Sequence, residues 1–96
     1  MKNTLENGTL TIFFEGELNS YNSEDVDKEI ESIIKANSFK ALVLDFENLK
    51  YISSAGLRII VRLKQQCNEI TVRKPSKIVM DTFKMVGFDN LIKIEK

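Results

Sequence analysis

The sequence contains no histidine, which excludes the Ser-His-Asp and Cys-His catalytic arrangements and any histidine metal ligand within the chain. It contains a single cysteine, so no intramolecular disulfide can form. Cys67 falls on the apolar side of a predicted helix, which favours a small core residue over a nucleophile. Glycine-rich phosphate loops and clustered carboxylates are also absent. We therefore expect a protein that is not an enzyme and uses no metal or cofactor.

The chain also lacks an excess of charge of either sign. Lysine and arginine together number 14, as do aspartate and glutamate, so the net charge is zero. This balance removes the electrostatic footprint of a general nucleic-acid or anionic-membrane binder, whereas a partner held by local charge pairs is still allowed. No N-terminal segment resembles a signal peptide, and no apolar run approaches the roughly 18 residues of a membrane span. A cytoplasmic location is expected.

What the sequence does contain is enough apolar surface for one core. Hydrophobic residues make up 43% of the 96 residues, which predicts a single domain over residues 1–96. Asn7-Gly8 signals a tight hairpin turn before a strand over residues 9–15, which Gly16 and Asn19 interrupt.

A helix capped by Asn22 or Ser23 is predicted next, with its apolar residues spaced along one stripe: Val26, Ile30, Ile33 and Ile34. The opposite face of this helix is expected to be only solvated; it consists of Asp27, Glu31 and Lys35.

The centre of the chain alternates between strand and helix signals. The apolar run over residues 39–46 predicts a strand covered on both faces, followed by a loop over residues 47–50. A largely buried helix is predicted from Leu57 to about Cys67, and a short strand over residues 69–73. Strand, helix and strand with short connections indicate a right-handed βαβ unit with parallel strands.

The last third of the chain carries helix start and stop signals. Ser76 is predicted to cap a third helix, and Gly87 is placed as the left-handed residue that ends it. A last short strand is expected over residues 91–94.

Two serines lie where the central strand gives way to the central helix. The first backbone N–H groups of a helix have no internal partner, and the helix dipole adds roughly half a positive charge there. Either Ser53 or Ser54 could cap the helix, and a serine one step inside the cap would be exposed, where a phosphate would lie against free N–H groups. On spacing alone, two simple caps and a phosphate site are both open interpretations.

Four segments resemble parts of a known family: Gly16-Glu17-Leu18-Asn19, Tyr51-Ile52-Ser53-Ser54-Ala55-Gly56-Leu57-Arg58, Lys74-Pro75-Ser76 and Val86-Gly87-Phe88-Asp89. In this order they resemble the STAS domain of bacterial anti-sigma factor antagonists, from about Leu5 to Ile94. The resemblance implies an α/β fold, a mixed four- to five-stranded sheet with about three helices packed on one side and a βαβ core. The family's usual last helix is expected to have no counterpart in these residues.

The resemblance also implies a function. Antagonists of this family bind an anti-sigma factor with serine kinase activity, are released when it phosphorylates them, and are reset by a serine phosphatase. The family motif carried over position by position makes Ser54 the phosphorylated residue, and Ser53 takes the place of the usual aspartate. The partner-binding surface is predicted to consist of Asn19, Tyr21, Tyr51, Ser53, Ser54, Arg58 and Arg62.

Three alternatives accompany this hypothesis. The chain could be a STAS binding module without phosphorylation, serving a lipid-transport ATPase or a stress-signalling assembly. It could carry a small anionic ligand at the central helix start. The third alternative, an enzyme, has little support in the sequence. No direct nucleic-acid contact is predicted.

Overall fold

A computed structural model describes residues 1–96. The strands are β1 (Asn3–Glu6), β2 (Thr9–Leu18), β3 (Ala41–Ile52), β4 (Ile70–Arg73) and β5 (Lys93–Glu95). The helices are α1 (Ser23–Ala36), α2 (Ser54–Gln66) and α3 (Lys77–Met85), with a 3-10 turn at Phe88–Asn90. None of the helices has the length and apolar character needed to span a bilayer.

The five strands form one mixed sheet, in the spatial order β1-β2-β3-β4-β5. β1 and β2 pair antiparallel through the Asn7-Gly8 turn, where both residues have positive φ (52° and 81°), as in the favoured two-residue hairpin turns. The remaining neighbours pair in parallel, with α2 joining β3 to β4 and α3 leading on to β5. The predicted mixed sheet with a βαβ core is therefore confirmed.

The sheet has one face under the helices and one open face. Leu10, Ile12 and Phe14 of β2 and the alternate residues Leu42, Leu44 and Phe46 of β3 join the core. The residues between them lie on the open face, so the prediction that β3 is covered on both faces is wrong. Val43 is only half-buried there, and Asp45 is buried because Arg73 of the neighbouring strand bonds its carboxylate at 2.7 Å.

β3 is longer than predicted, and the expected loop at residues 47–50 is part of it. Both β2 and β3 continue as a two-stranded ribbon, β2 to Leu18 and β3 to Ile52, through two register shifts. Gly16 lies in this irregular region with φ 71°, a conformation that suits glycine. Leu49 is buried and pairs with Gly16. The polar composition of residues 47–50 concealed the strand because the side chains next to Leu49 are exposed.

The three helices are anchored to different extents. α2 buries five residues, including Gly56, which lies so close to the end of the β2–β3 ribbon that a Cβ there would be 2.8 Å from side-chain carbons of Leu18 and Ile52. α1 buries only Ile30 completely. α3 begins at the predicted Ser76 cap and is followed by Gly87 with φ 72°, which confirms the left-handed stop.

Candidate functional site

The start of α2 assigns different roles to the two serines. Ser53 is the N-cap, with extended backbone, and its Oγ accepts a hydrogen bond from the Gly56 N–H at 3.2 Å. Ser54 is the first helical residue and is exposed. The Ser53 N–H donates to the Leu18 carbonyl at 2.8 Å, which ties the cap to the end of β2. The Ser54 hydroxyl is therefore presented to solvent at the positive end of a helix, on a fixed backbone.

The loop between β2 and α1 adjoins this start and is stabilised by two asparagines. Asn22 Oδ1 accepts from the Asn19 N–H at 2.9 Å, and Asn19 Oδ1 accepts from the Tyr21 N–H at 2.9 Å. The Asn22 amide donates to the Glu17 carbonyl at 2.8 Å. These bonds engage the predicted contact residue Asn19 in shaping the loop, while Tyr21 is 96% exposed and free to contact another molecule.

A shallow cleft of about 360 Å³ runs between α1 and α2 from this end of the molecule. Seven residues line it: Ser23, Glu24, Asp27, Ala55, Arg58, Ile59 and Arg62. Arg58 is exposed and stands outside every ion pair of the chain. It follows Ser54 by four residues, so the two lie on one side of α2, one turn apart. Tyr51, 43% exposed at the end of β3, precedes the serines in the chain.

Arg62 differs from Arg58 because it is paired within the chain. Its guanidinium forms ion pairs with Asp27 and, at 3.2 Å, with Glu31 of α1, and it donates to Gln66 Oε1 at 2.9 Å. The prediction that Asp27 and Glu31 are merely solvated is therefore wrong. α1 and α2 approach each other through their polar arcs, so acid on one helix meets base on the other. The four-residue spacing of Asp27 and Glu31, which places both acids on one face of α1, was the available signal.

The structure thus brings together Ser53, Ser54 and Arg58 at the α2 start, with Asn19 in the adjoining loop. Arg62 lies two turns away from Ser54, about 12 Å along the helix axis, and points its charge at α1.

The remaining chemistry of the chain is limited. Cys67 is half-buried against the core, and burial, followed by the nearby negative charge of Glu31, raises the pKa of its thiol, so it is a poor nucleophile. Metal-ligating side chains do not gather anywhere in groups of three or more.

Comparison with known proteins gives the family. The sequence pattern of the STAS domain matches residues 2–96. A Bordetella bronchiseptica protein named as an anti-sigma factor antagonist, BtrV, is 32% identical over 94 residues, covering 92% of this chain and 80% of that protein.

Solved structures agree on the fold. An anti-sigma factor antagonist from Mycobacterium paratuberculosis superposes with a TM-score of 0.87 at 15% identity, over 98% of this chain and 82% of that one. The Bacillus protein SpoIIAA is similar in its unphosphorylated form (TM-score 0.76, 20% identity, 99% and 89% of the chains) and in its phosphorylated form (0.66, 19%, 99% and 92%). The chain belongs to the STAS domain family, among the anti-sigma factor antagonists.

Proposed function

We propose that this protein is an anti-sigma factor antagonist that is switched off by phosphorylation of Ser54. In this proposal it binds an anti-sigma factor that is also a serine kinase and thereby frees the sigma factor. The kinase then phosphorylates Ser54, the complex dissociates, and a serine phosphatase restores the active form. The name of the Bordetella relative and the two phosphorylation states of SpoIIAA support the proposal.

One observation carries the choice of residue: the cap occupies Ser53 and leaves Ser54 exposed. A kinase needs a hydroxyl that can reach its own active site, and the Ser53 Oγ is already held by the Gly56 N–H. The chain itself has no catalytic part in the switch, since it acts as partner and as substrate.

The mechanism is electrostatic. A phosphate adds about −1.5 to −2 charges at neutral pH. On Ser54 it meets the free N–H groups of the first turn of α2, so it costs the folded domain little. In the complex, the same phosphate would be desolvated within the interface. The partner surface that binds the unmodified protein offers no opposite charge to pair with it. Unpaired charge of this kind costs several kcal/mol in a binding interface and is expected to release the partner.

The test is to incubate the protein with candidate anti-sigma factor kinases of the same organism and ATP, and to map phosphate by mass spectrometry. We expect modification at Ser54 alone. Ser54→Ala should still bind the kinase and never release it. Ser76→Ala is the matched control, because it removes a cap serine elsewhere and should leave phosphorylation unchanged. Phosphate on Ser53, or on no serine, would contradict the proposal.

A second candidate is favoured by one departure from the family motif. Ser53 stands where relatives usually carry aspartate, so one negative charge beside the acceptor hydroxyl is missing. In a STAS module that only binds, within a lipid-transport ATPase or a stress-signalling assembly, Ser53 and Ser54 would be cap and contact residues. The neighbouring genes discriminate between the two candidates: a kinase-type anti-sigma factor supports the first, and a transporter ATPase supports the second.

A further inference from the structure

One arginine of α2 pairs with two acidic residues of α1 at the edge of the cleft beside Ser54. The Arg62 guanidinium, on α2, pairs with Asp27 and with Glu31, which are one turn apart on α1. Its side chain is 34% exposed, and those of Asp27 and Glu31 are 37% and 29% exposed, so the cluster is half-buried. Ion pairs that are partly removed from water are screened less than fully exposed ones.

The Glu31 carboxylate depends on Arg62 in particular. Its Oε2 is enclosed and accepts no well-aligned hydrogen bond, although Arg62 Nη1 lies 3.2 Å away. The positive charge of Arg62 is therefore its only compensation in this position. Removing that charge would leave an enclosed carboxylate oxygen without a cation beside it, which favours separation of the two helices.

Apart from the ion pair between Glu29 and the Met1 amino group at 2.7 Å, α1 has few other attachments to the rest of the fold. Ile30 is the one buried residue of α1, against five buried residues in α2. The α1 cap residue Asn22 makes no side-chain bond to the helix start. Three half-buried side chains pack against the core: Val26, Ile33 and Ile34. A helix with so little fully buried apolar surface belongs to the less stable part of a structure, so polar contacts weigh more in fixing its place.

We infer that Arg62 is a positioning residue. It holds α1 against α2, sets the shape of the cleft beside Ser54 and makes no direct contact with the partner. The guanidinium suits this role because its planar fork can serve two carboxylates at once, which a lysine ammonium on a flexible chain does less well. Arg58, without an ion pair, is the arginine left for a partner or a phosphate.

The first test needs no partner. Amide hydrogen exchange of the protein and of Arg62→Met is measured by NMR at low and high salt. We expect α1 amides to exchange about three- to tenfold faster in the variant at low salt, with β3 amides unchanged. High salt should narrow this difference by speeding α1 exchange in the unsubstituted protein. Arg62→Lys should fall between the two.

Lys28→Met is the matched control, because it removes an exposed cation that pairs with Glu24 within α1 alone. If α1 exchange in Arg62→Met is no faster than in Lys28→Met, the inference is overturned.

The second test rests on the proposed function and uses an anti-sigma factor as the probe. A positioning role predicts that Glu31→Gln, which leaves the Arg62–Asp27 pair in place, weakens binding less than Arg62→Met does. Asp27→Asn combined with Glu31→Gln, which removes both acidic partners and keeps Arg62, should weaken binding by a factor similar to that of Arg62→Met. A loss with Arg62→Met alone would mean direct contact and would overturn the inference. If the unsubstituted protein binds no anti-sigma factor, the proposed function fails, while the exchange result still decides the role of Arg62.

Discussion

α2 and α3 begin with the same kind of cap but expose different residues in their first turns. In each, a serine after a parallel strand caps the helix: Ser53 Oγ accepts from Gly56, and Ser76 Oγ accepts from Val79, both at 3.2 Å. The next residue differs. In α2 it is the exposed Ser54, and in α3 it is Lys77, which pairs with Asp81 at 3.0 Å. The cap is thus a shared structural device, and the residue after it distinguishes a candidate switch from an ordinary helix start.

The third residue after each cap also differs, for a packing reason. Val79 fills its position completely and is fully buried. Gly56 occupies the same place in α2, where Leu18 and Ile52 leave no room even for a Cβ. α2 therefore begins directly against the end of the β2–β3 ribbon, with no space for a side chain at Gly56. A close approach of this kind fixes the Ser54 backbone against the end of the β2–β3 ribbon, which gives a partner or a kinase a surface of constant shape.

The largest expected effect separates the two helix starts by function. Phosphate on Ser54 should weaken binding of the anti-sigma factor at least about 100-fold, or roughly 3 kcal/mol, measured by calorimetry with the phosphorylated protein. Lys77→Ser places a serine after the α3 cap and is expected not to be phosphorylated by the same kinase, because α1 and the Tyr21 loop are not beside it. Phosphorylation of both sites at similar rates would show that the kinase recognises any serine that follows a helix cap.

The next effect concerns the third residue after each cap. Alanine should destabilise the protein at both positions, because it is too large at Gly56 and too small at Val79. Gly56→Ala should lower the free energy of unfolding by roughly 1–2 kcal/mol, since overpacking outweighs the better helix propensity of alanine. Val79→Ala should lower it by about 2 kcal/mol through a cavity. Chemical denaturation measures both. A stabilised Gly56→Ala would mean that Leu18 and Ile52 yield easily and that α2 is not held closely.

The sequence predicted regular features well and juxtapositions poorly. Asn7-Gly8, the Ser76 cap and Gly87 were predictable because each depends on a few neighbouring residues. The choice between Ser53 and Ser54 as cap depended on where β3 ends. The strand continues six residues beyond its predicted end at Phe46, through Ile52. Its length is set by pairing with β2 across the Gly16 irregularity, which no local pattern encodes.

Pairs between distant elements were missed for the same reason. Arg73 bonds Asp45 across two strands, and Arg62 meets Asp27 across two helices. Neither pair follows from a local sequence pattern, because the partners are 28 and 35 residues apart in the chain. Only the register of β3 with β4 and the approach of α1 to α2 bring these groups together.

A smaller effect should show that the caps are equivalent. Ser53→Ala and Ser76→Ala should each lower the free energy of unfolding by about 1 kcal/mol, the usual value for a lost N-cap. Ser54→Ala should change it by less than about 0.5 kcal/mol, as for an exposed surface position. Thermal or chemical unfolding of the three variants is sufficient. A loss at Ser54 as large as that at Ser53 would show that both serines cap and would remove the structural basis for choosing Ser54.

The last effect concerns stability after phosphorylation. The phosphate on Ser54 would lie against the free N–H groups of α2, and Arg58 one turn further can form a charge-assisted contact with it. We expect the phosphorylated protein to be no less stable than the unmodified one, and more stable by roughly 0.5–2 kcal/mol at low salt. Salt should reduce the gain, because both partners are exposed.

Arg58→Ala separates this account from one in which phosphate reshapes the fold. In the unmodified protein the substitution should have little effect on thermal unfolding, since Arg58 forms no ion pair there. In the phosphorylated protein Arg58→Ala should remove part of the stability gain. Arg62→Met should lower the stability of the phosphorylated and unmodified proteins equally, because Arg62 pairs with acids of α1 in both. A phosphorylated form that melts several degrees lower, with Arg58→Ala making no difference, would mean that the switch works by disturbing the fold. A phosphorylated form that is at least as stable, with a gain that Arg58→Ala reduces, would mean that phosphate acts only by changing the partner-binding surface.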